Sequence, residues 1–298
     1  MTATERPAAA TDGGGPAIGA WAWFDGSVVP IGQAQVSIAT HTFNYGTAVF
    51  EGIRAYRQAD GSPAILFALE HYERLLRNAR LLRANVAGSA QDLVEITVDL
   101  LRRNAHESDV YIRPLVYKSA HSIRVQLSGL EDRVAIFTMP LGDYLPTGGI
   151  RVTVSGWQRV SDNAIPARGK IAGSYVNAAF AAEDAHVAGY DDALLLTADG
   201  HLAEASAANV FVVTDGATEL RVHRREVGLR RSGERLAARA LGELSQCFLV
   251  DGRLVGDLDA GLGSGDARLP PRVFEGIRAR ESRDEREAEH PRRGRVIC

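Results

Sequence analysis

Lysine is almost missing from this 298-residue chain: of its 34 Lys and Arg residues only Lys118 and Lys170 are lysines. A guanidinium does not give up its proton near neutral pH, so any amine chemistry, Schiff-base formation included, has only these two side chains or the N-terminus to use. Cysteine is equally scarce. Cys247 and Cys298 stand far apart, with no CxxC or neighbouring His pattern; this argues against a structural disulfide or a zinc site and makes a reducing cytoplasm the expected compartment. No apolar run approaches the ~18 residues that a membrane span needs. Neither sign of charge prevails, and a net charge of -3 supplies no electrostatic reason for a nucleic acid or an anionic membrane as partner. Residues 1–18 have neither a basic start nor an apolar h-region, so they are expected to form a disordered tail and not a signal peptide.

What is present has clear periodicity. Alternating apolar residues on either side of Asp25-Gly26 predict a hairpin. Tyr72, Leu75, Leu76, Ala79 and Leu82 recur at helical spacing and predict a helix over 70–84, and Leu93, Ile96, Val98 and Leu101 predict a second over 90–104. VYIRPLVYK at 110–118 reads as a strand whose alternation puts Tyr111, Arg113, Leu115 and Tyr117 on one face. RVAIFTMP at 133–140 predicts the next strand. Pro146 to Gly149 is the linker candidate. Beyond it the pattern predicts a strand from 150, a helix over 175–188 and three strands over 191–213, the first two joined at Asp199-Gly200. The last ~25 residues are rich in Arg, Gly and Glu and are expected to be disordered, because they cannot bury enough surface to offset their ordering entropy.

Lys170 lies in SDNAIPARGKIAGSY, between Gly169 and Gly173 and just before the 175–188 helix. A Schiff-base lysine needs small neighbours so that its amine can swing between cofactor and substrate, and RGKIAGS provides them. Lys118 has no such setting and is expected at a solvated strand end. Tyr175 is close enough in sequence to reach what Lys170 reaches, and Glu204 sits among small residues in AEASAAN. A carboxylate against a pyridine nitrogen keeps that nitrogen protonated. Taken singly, Tyr175 could equally be a core tyrosine, Glu204 a solvated carboxylate, and Arg74 one more arginine on an amphipathic helix.

Five segments in order carry a resemblance: GTAVFEGIRAY at 46–56, HYERL at 71–75, YIRPL at 111–115, IPARGKIAGSYVNA at 165–178, and GYDDALLL at 189–196 followed by AEASAANVF at 203–211. Their order and spacing resemble the class IV pyridoxal phosphate aminotransferases, and among these most of all the branched-chain amino acid aminotransferases. The resemblance implies an α+β, two-domain fold of the type IV pyridoxal phosphate class. A small α/β domain would cover 19–145, a linker 146–149, a barrel-like cofactor-binding domain 150–272 and a tail 273–298. It implies pyridoxal 5′-phosphate as cofactor, with Lys170 as the Schiff-base lysine that also moves the substrate Cα proton. Tyr175 would meet the ring oxygen, Glu204 the ring nitrogen and Arg74 the phosphate. For the substrate it implies Tyr45 and Phe50 as walls of an apolar pocket, Tyr111 at the α-carboxylate and Arg113 at the distal carboxylate of glutamate. Arg54 also matches the motif. A homodimer whose active site borrows residues across the interface is implied as well.

The implied activity is transamination of Leu, Ile or Val with 2-oxoglutarate. The alternatives are a D-amino acid aminotransferase, an aminodeoxychorismate lyase, or a non-catalytic remnant. The last arises because the family's two later loops, which hold phosphate and carboxylate, have no counterpart after Leu220; Ala207-Ala208 also departs from the family's usual pair before the Asn. The arginine-heavy residues beyond 220 motivate the hypothesis of a reading-frame shift there, which is discarded if no other frame of the gene restores those loops.

Overall fold

Asp25 and Gly26 both take positive φ, 51° and 85°, the backbone that a two-residue hairpin turn demands. They join β1 (Trp21–Phe24) to β2 (Ser27–Pro30) in the expected antiparallel pair. The computed structural model describes residues 18–142, 149–214, 217–221, 249–250 and 295–297. Residues 1–17 of the expected 1–18 tail, most of the 146–149 linker and nearly all of the sequence beyond 221 lie outside the described residues. These divide into two compact units, one built from 18–142 with 165–175, the other from 149–164 with the remaining described residues after 175.

In the first unit, β3 (Ala48–Phe50), β4 (Ile53–Arg57), β5 (Pro63–Ile65), β6 (Val110–Lys118) and β7 (Asp132–Pro140) join the hairpin in an antiparallel sheet. Its order is β2-β1-β7-β6-β4-β5, and β3 pairs with β6 beyond the end of β4. The short helix α1 (His41–Tyr45) leads into β3, and α2 (Ala68–Leu81) and α3 (Ala90–Asn104) lie between β5 and β6. The second helix stops before the expected Ala84 because Arg83 turns left-handed, φ 54°. The third starts where expected: Ser89 accepts from the Asp92 amide while the Asp92 carboxylate accepts from the Ser89 amide, a reciprocal cap of the kind that contributes about 1 kcal/mol.

Helical spacing turns Tyr72, Leu75 and Ala79 of α2 and Leu93, Leu100 and Leu101 of α3 onto one face of the sheet, where they pack with Val49, Ile53, Ile112, Val116 and Ile136. Each fully buried side chain of this kind contributes on the order of 1.5–3 kcal/mol. Strand alternation then leaves Tyr111 and Arg113 on the opposite face of β6. Ile171, although far along the chain, joins this core and bridges Val49, which explains why 165–175 packs with the first unit.

Lys118 departs from expectation. It is not a solvated end but is buried, 1% exposed. Its Nζ lies 2.8 Å from Asp132 Oδ1 as an ion pair and donates to the Arg83 carbonyl at 3.2 Å. The reason is register: β6 is an interior strand, and Asp132 is the residue directly opposite Lys118 on β7.

The second unit contains β8 (Val152–Gln158), α4 (Tyr175–Val187, after its first residue), β9 (Asp192–Leu196) and β10 (Leu202–Ala205). The parallel pair β8 and β9 requires a crossover, supplied by α4, whose Ala181 and Ala185 pack with Ala193 and Leu195. The turn into β10 uses Gly200 at φ 83°. A further sheet holds β11 (Val210–Thr214), β12 (Ala217–Arg221), β13 (Leu249–Val250) and β14 (Arg295–Ile297) in the order β12-β11-β14-β13. Antiparallel and parallel sheets with segregated helices make the α+β class expected from the sequence. Among the described residues no helix is long and apolar enough to cross a membrane.

Candidate active site

The backbone around Lys170 is sewn to the end of β3. The Phe50 amide donates to the Lys170 carbonyl at 3.1 Å, and the Gly173 amide donates to the Gly46 carbonyl at 3.0 Å. Gly46 closes α1 with φ 64°, and a Cβ there would stand 2.7 Å from the Gly173 Cα. Only glycine permits both that conformation and that approach. The Lys170 side chain is half-buried, and its Nζ lies 5.6 Å from the centre of the Phe50 ring and 5.8 Å from that of Tyr175. The two rings tilt against each other with centres 4.7 Å apart. The structure therefore brings Lys170, Tyr175 and Phe50 into one cluster.

Arg113 completes this face. Its guanidinium stacks 4.3 Å over the Phe50 ring and donates from Nε and Nη2 to the Tyr111 hydroxyl at 3.0 and 2.7 Å. The predicted alternation on β6 placed this pair together; the contact to Phe50 comes from β3, which pairs Phe50 with Leu115. Gly52 makes room for the arrangement, since a Cβ there would meet the Tyr111 hydroxyl at 2.5 Å. The result is a cationic group and a phenol beside an aromatic wall, an arrangement suited to a carboxylate next to an apolar side chain.

Glu51, the residue after Phe50, faces α2. Its carboxylate accepts from Arg74 Nε and Nη2, both at 2.7 Å, and lies 3.0 Å from His71 Nδ1. Burial alone would raise the Glu51 pKa, but hydrogen bonds from His71 and Arg74, with the Arg74 charge, outweigh it and hold the carboxyl down at about 2. Arg74 itself stays reachable, with 23% of its side chain exposed against 0% for Glu51. Sequence reading singled out Arg74 and missed Glu51. The available signal was an acid inside the apolar run AVFEGI, because a buried charge requires a partner.

In the second unit Glu204 sits on β10 just after a bulge in its pairing with β9. It forms an ion pair with Arg159, whose own amide donates to the Leu196 carbonyl at 2.8 Å. Nothing in the sequence pointed to Arg159, which follows the expected strand with no motif of its own. The remaining expected residues are placed differently. Tyr45 turns to His41, with ring centres 4.7 Å apart, and donates to the Ile123 carbonyl at 2.7 Å. Arg54 is tied down within the first unit by the Gly142 carbonyl at 2.9 Å and lies over the Tyr56 ring. A cavity of about 420 Å³ near the β1–β2 hairpin, lined by Tyr117, His121 and Arg133 among others, contains only residues outside the expected set.

Comparison with known proteins gives a consistent result. Residues 48–219 match the family model for amino-transferase class IV. A protein of Aquifex aeolicus (strain VF5) described as "Probable branched-chain-amino-acid aminotransferase" is 47% identical over 198 residues, 66% of this chain and 64% of that protein. The chain thus spans just under two thirds of that relative's length. Among solved structures, the branched-chain aminotransferase of Thermoproteus uzoniensis with norvaline superposes with a TM-score of 0.65 at 37% identity, covering 67% of each chain. The branched-chain amino acid aminotransferase of Thermobaculum terrenum in its PLP-form (holo-form) gives 0.62 at 28% identity, over 67% of this chain and 66% of the other.

Proposed function

The chain belongs to the class IV aminotransferase family, whose model spans more than half of it, and on that premise we propose that it is a pyridoxal 5′-phosphate-dependent aminotransferase moving the amino group of Leu, Ile or Val to 2-oxoglutarate. The observation that carries this reading is the cluster of Lys170, Tyr175 and Phe50 with Arg113 stacked beside it.

The donor set fits the cofactor. The group needs an amine, and Lys170 is the candidate because Lys118, the other lysine, is buried in an ion pair. It needs an anion for its ring nitrogen, a cation for its phosphate and a hydrogen-bond donor for its ring oxygen; Glu204, Arg74 and Tyr175 are of those types. When bound, pyridoxal 5′-phosphate supplies an aldehyde for amino groups and a ring that withdraws electrons from the substrate Cα. Lys170 Nζ would then hold and return the Cα proton, at the place where the backbone bonds to Phe50 and Gly46 fix its chain segment. Arg159 holds the Glu204 carboxylate in place by pairing with it. Arg113 and the Tyr111 hydroxyl bind carboxylates, while Phe50 excludes water from one wall and favours a branched aliphatic side chain.

A homodimer is part of the proposal. Ile38, Ile123 and Val125 are 82%, 86% and 87% exposed, and Phe43 is exposed as well. Bonds from Asn44 to Ile38 and from Tyr45 to Ile123 gather these loops into one apolar face, large exposed apolar patches being typical of interfaces. Tyr45 lies on that face, so its part in a substrate pocket belongs to the assembled dimer.

Borohydride reduction of the purified protein with pyridoxal 5′-phosphate should attach the cofactor covalently to the Lys170 peptide, as read by mass spectrometry. Lys170→Ala should abolish both the attachment and turnover of L-leucine with 2-oxoglutarate. Turnover of D-alanine or aminodeoxychorismate in place of L-leucine overturns the substrate assignment. A wild-type protein that takes up no cofactor overturns the activity and supports a non-catalytic remnant.

A further inference from the structure

We propose that Glu51 is the positioning residue for Arg74, setting the guanidinium in the orientation in which it receives the cofactor phosphate; this rests on the phosphate role of Arg74 proposed above. An arginine on an exposed helix face samples many rotamers, and restricting it costs entropy at the moment of binding. Here that cost is met in advance. Glu51 Oε1 and Oε2 accept from Nε and Nη2 in a bidentate fork at 2.7 Å each, which fixes both the position and the plane of the guanidinium. His71 Nδ1, one helical turn before Arg74, approaches the same oxygen Oε2 at 3.0 Å, 3.5 Å from Arg74 Nη2, and gives the carboxylate a further point of attachment. Glu51 is wholly buried while Arg74 is not, so the pair is anchored at the acid and presented at the base.

The connection to the lysine segment is short. The Phe50 amide donates its hydrogen bond to the Lys170 carbonyl, and Glu51 is the next residue; the Glu51 amide itself donates to the Pro114 carbonyl at 3.1 Å. Two consecutive residues at the end of β3 therefore tie down the lysine for the aldehyde and the arginine for the phosphate, so the separation of those two groups is a property of one stretch of backbone. A buried carboxylate needs a partner in any case; the bidentate fork adds to this that the plane of a partly exposed guanidinium is set as well.

The test compares pyridoxal 5′-phosphate with pyridoxal, which carries the same aldehyde and ring without the phosphate, on the full-length protein. Glu51→Gln should weaken pyridoxal 5′-phosphate by about tenfold, the order expected from losing charge-assisted hydrogen bonds, and leave pyridoxal unchanged, with the ³¹P resonance of the bound cofactor moving towards its free position. Equal weakening of both ligands, or of neither, overturns the proposal while leaving the assignment of Lys170 intact. Should Glu51→Gln fail to fold, Glu51→Asp, which keeps the charge but withdraws the fork, is read on the same two ligands with the same criteria. If Arg74→Lys shows no phosphate-selective loss, the role of Arg74 and this inference fall together. A wild-type protein that binds neither ligand removes the proposed function as well.

Discussion

Lys118 and Lys170 are the two side-chain amines of the chain, and the fold separates them by what each one meets. Lys118 meets a carboxylate in the core and a carbonyl at 3.2 Å; Lys170 meets two aromatic faces and remains half-buried. Elimination by residue type therefore ends on one amine, because a lysine clamped by Asp132 has neither the freedom nor the access to form a Schiff base. The same burial makes Lys118 a structural residue. Lys118→Met should cost about 3–5 kcal/mol in urea denaturation, since Asp132 is left charged and buried without its partner. Adding Asp132→Asn should recover most of that loss. A single variant as stable as the wild type would show that water reaches the pair.

Between elements, the decisive contacts are backbone to backbone. The end of α1, the strand β3 and the turn after Lys170 approach one another too closely for side chains, as the 2.7 Å between a Gly46 Cβ and the Gly173 Cα shows. Gly46→Ala should lower stability by about 1–3 kcal/mol, the range for forcing a residue with a side chain into the left-handed region, and should also slow the reaction of Lys170 with pyridoxal 5′-phosphate. An unchanged denaturation midpoint would mean that the turn relaxes around the methyl group. The elements themselves were legible in the sequence. The 90–104 helix and the 110–118 strand appear with the expected bounds, because each has an unbroken apolar period and a clear boundary: Ser89 as a cap and His106-Glu107-Ser108 as a polar break. The helix after Glu70 was less well bounded, since the left-handed turn at Arg83 leaves no mark in residue type.

For the molecule as a whole, the matched part ends at residue 219 and the chain runs on to 298. The activity proposed here depends on the assembled protein, and the apolar face formed by Ile38, Phe43, Ile123 and Val125 is where a second copy would add to it. Ile123→Glu combined with Val125→Glu should convert a dimer to a monomer in light scattering, because two desolvated carboxylates oppose association strongly. The monomer should keep the far-UV circular dichroism of the folded chain, as both positions are exposed. A wild-type protein that is monomeric at all concentrations would set the dimer aside.

What the sequence determined by itself was local or statistical: the faces of helices and strands, the hairpin at Asp25-Gly26, the elimination that left two amines, and the collinear segments that identify the family. Period tells which side of an element a residue faces but not what waits there. The pairs that shape the site join residues far apart in the chain: Glu51 with Arg74, Lys118 with Asp132, Arg159 with Glu204. Each depends on a through-space distance of a few ångströms that strand register and helix packing set, and Coulomb and hydrogen-bond energies act over that distance alone. Only the tertiary structure could decide that one lysine is a core anchor, and that the other stands beside a packed pair of rings with its backbone fastened to the strand whose next residue holds Arg74.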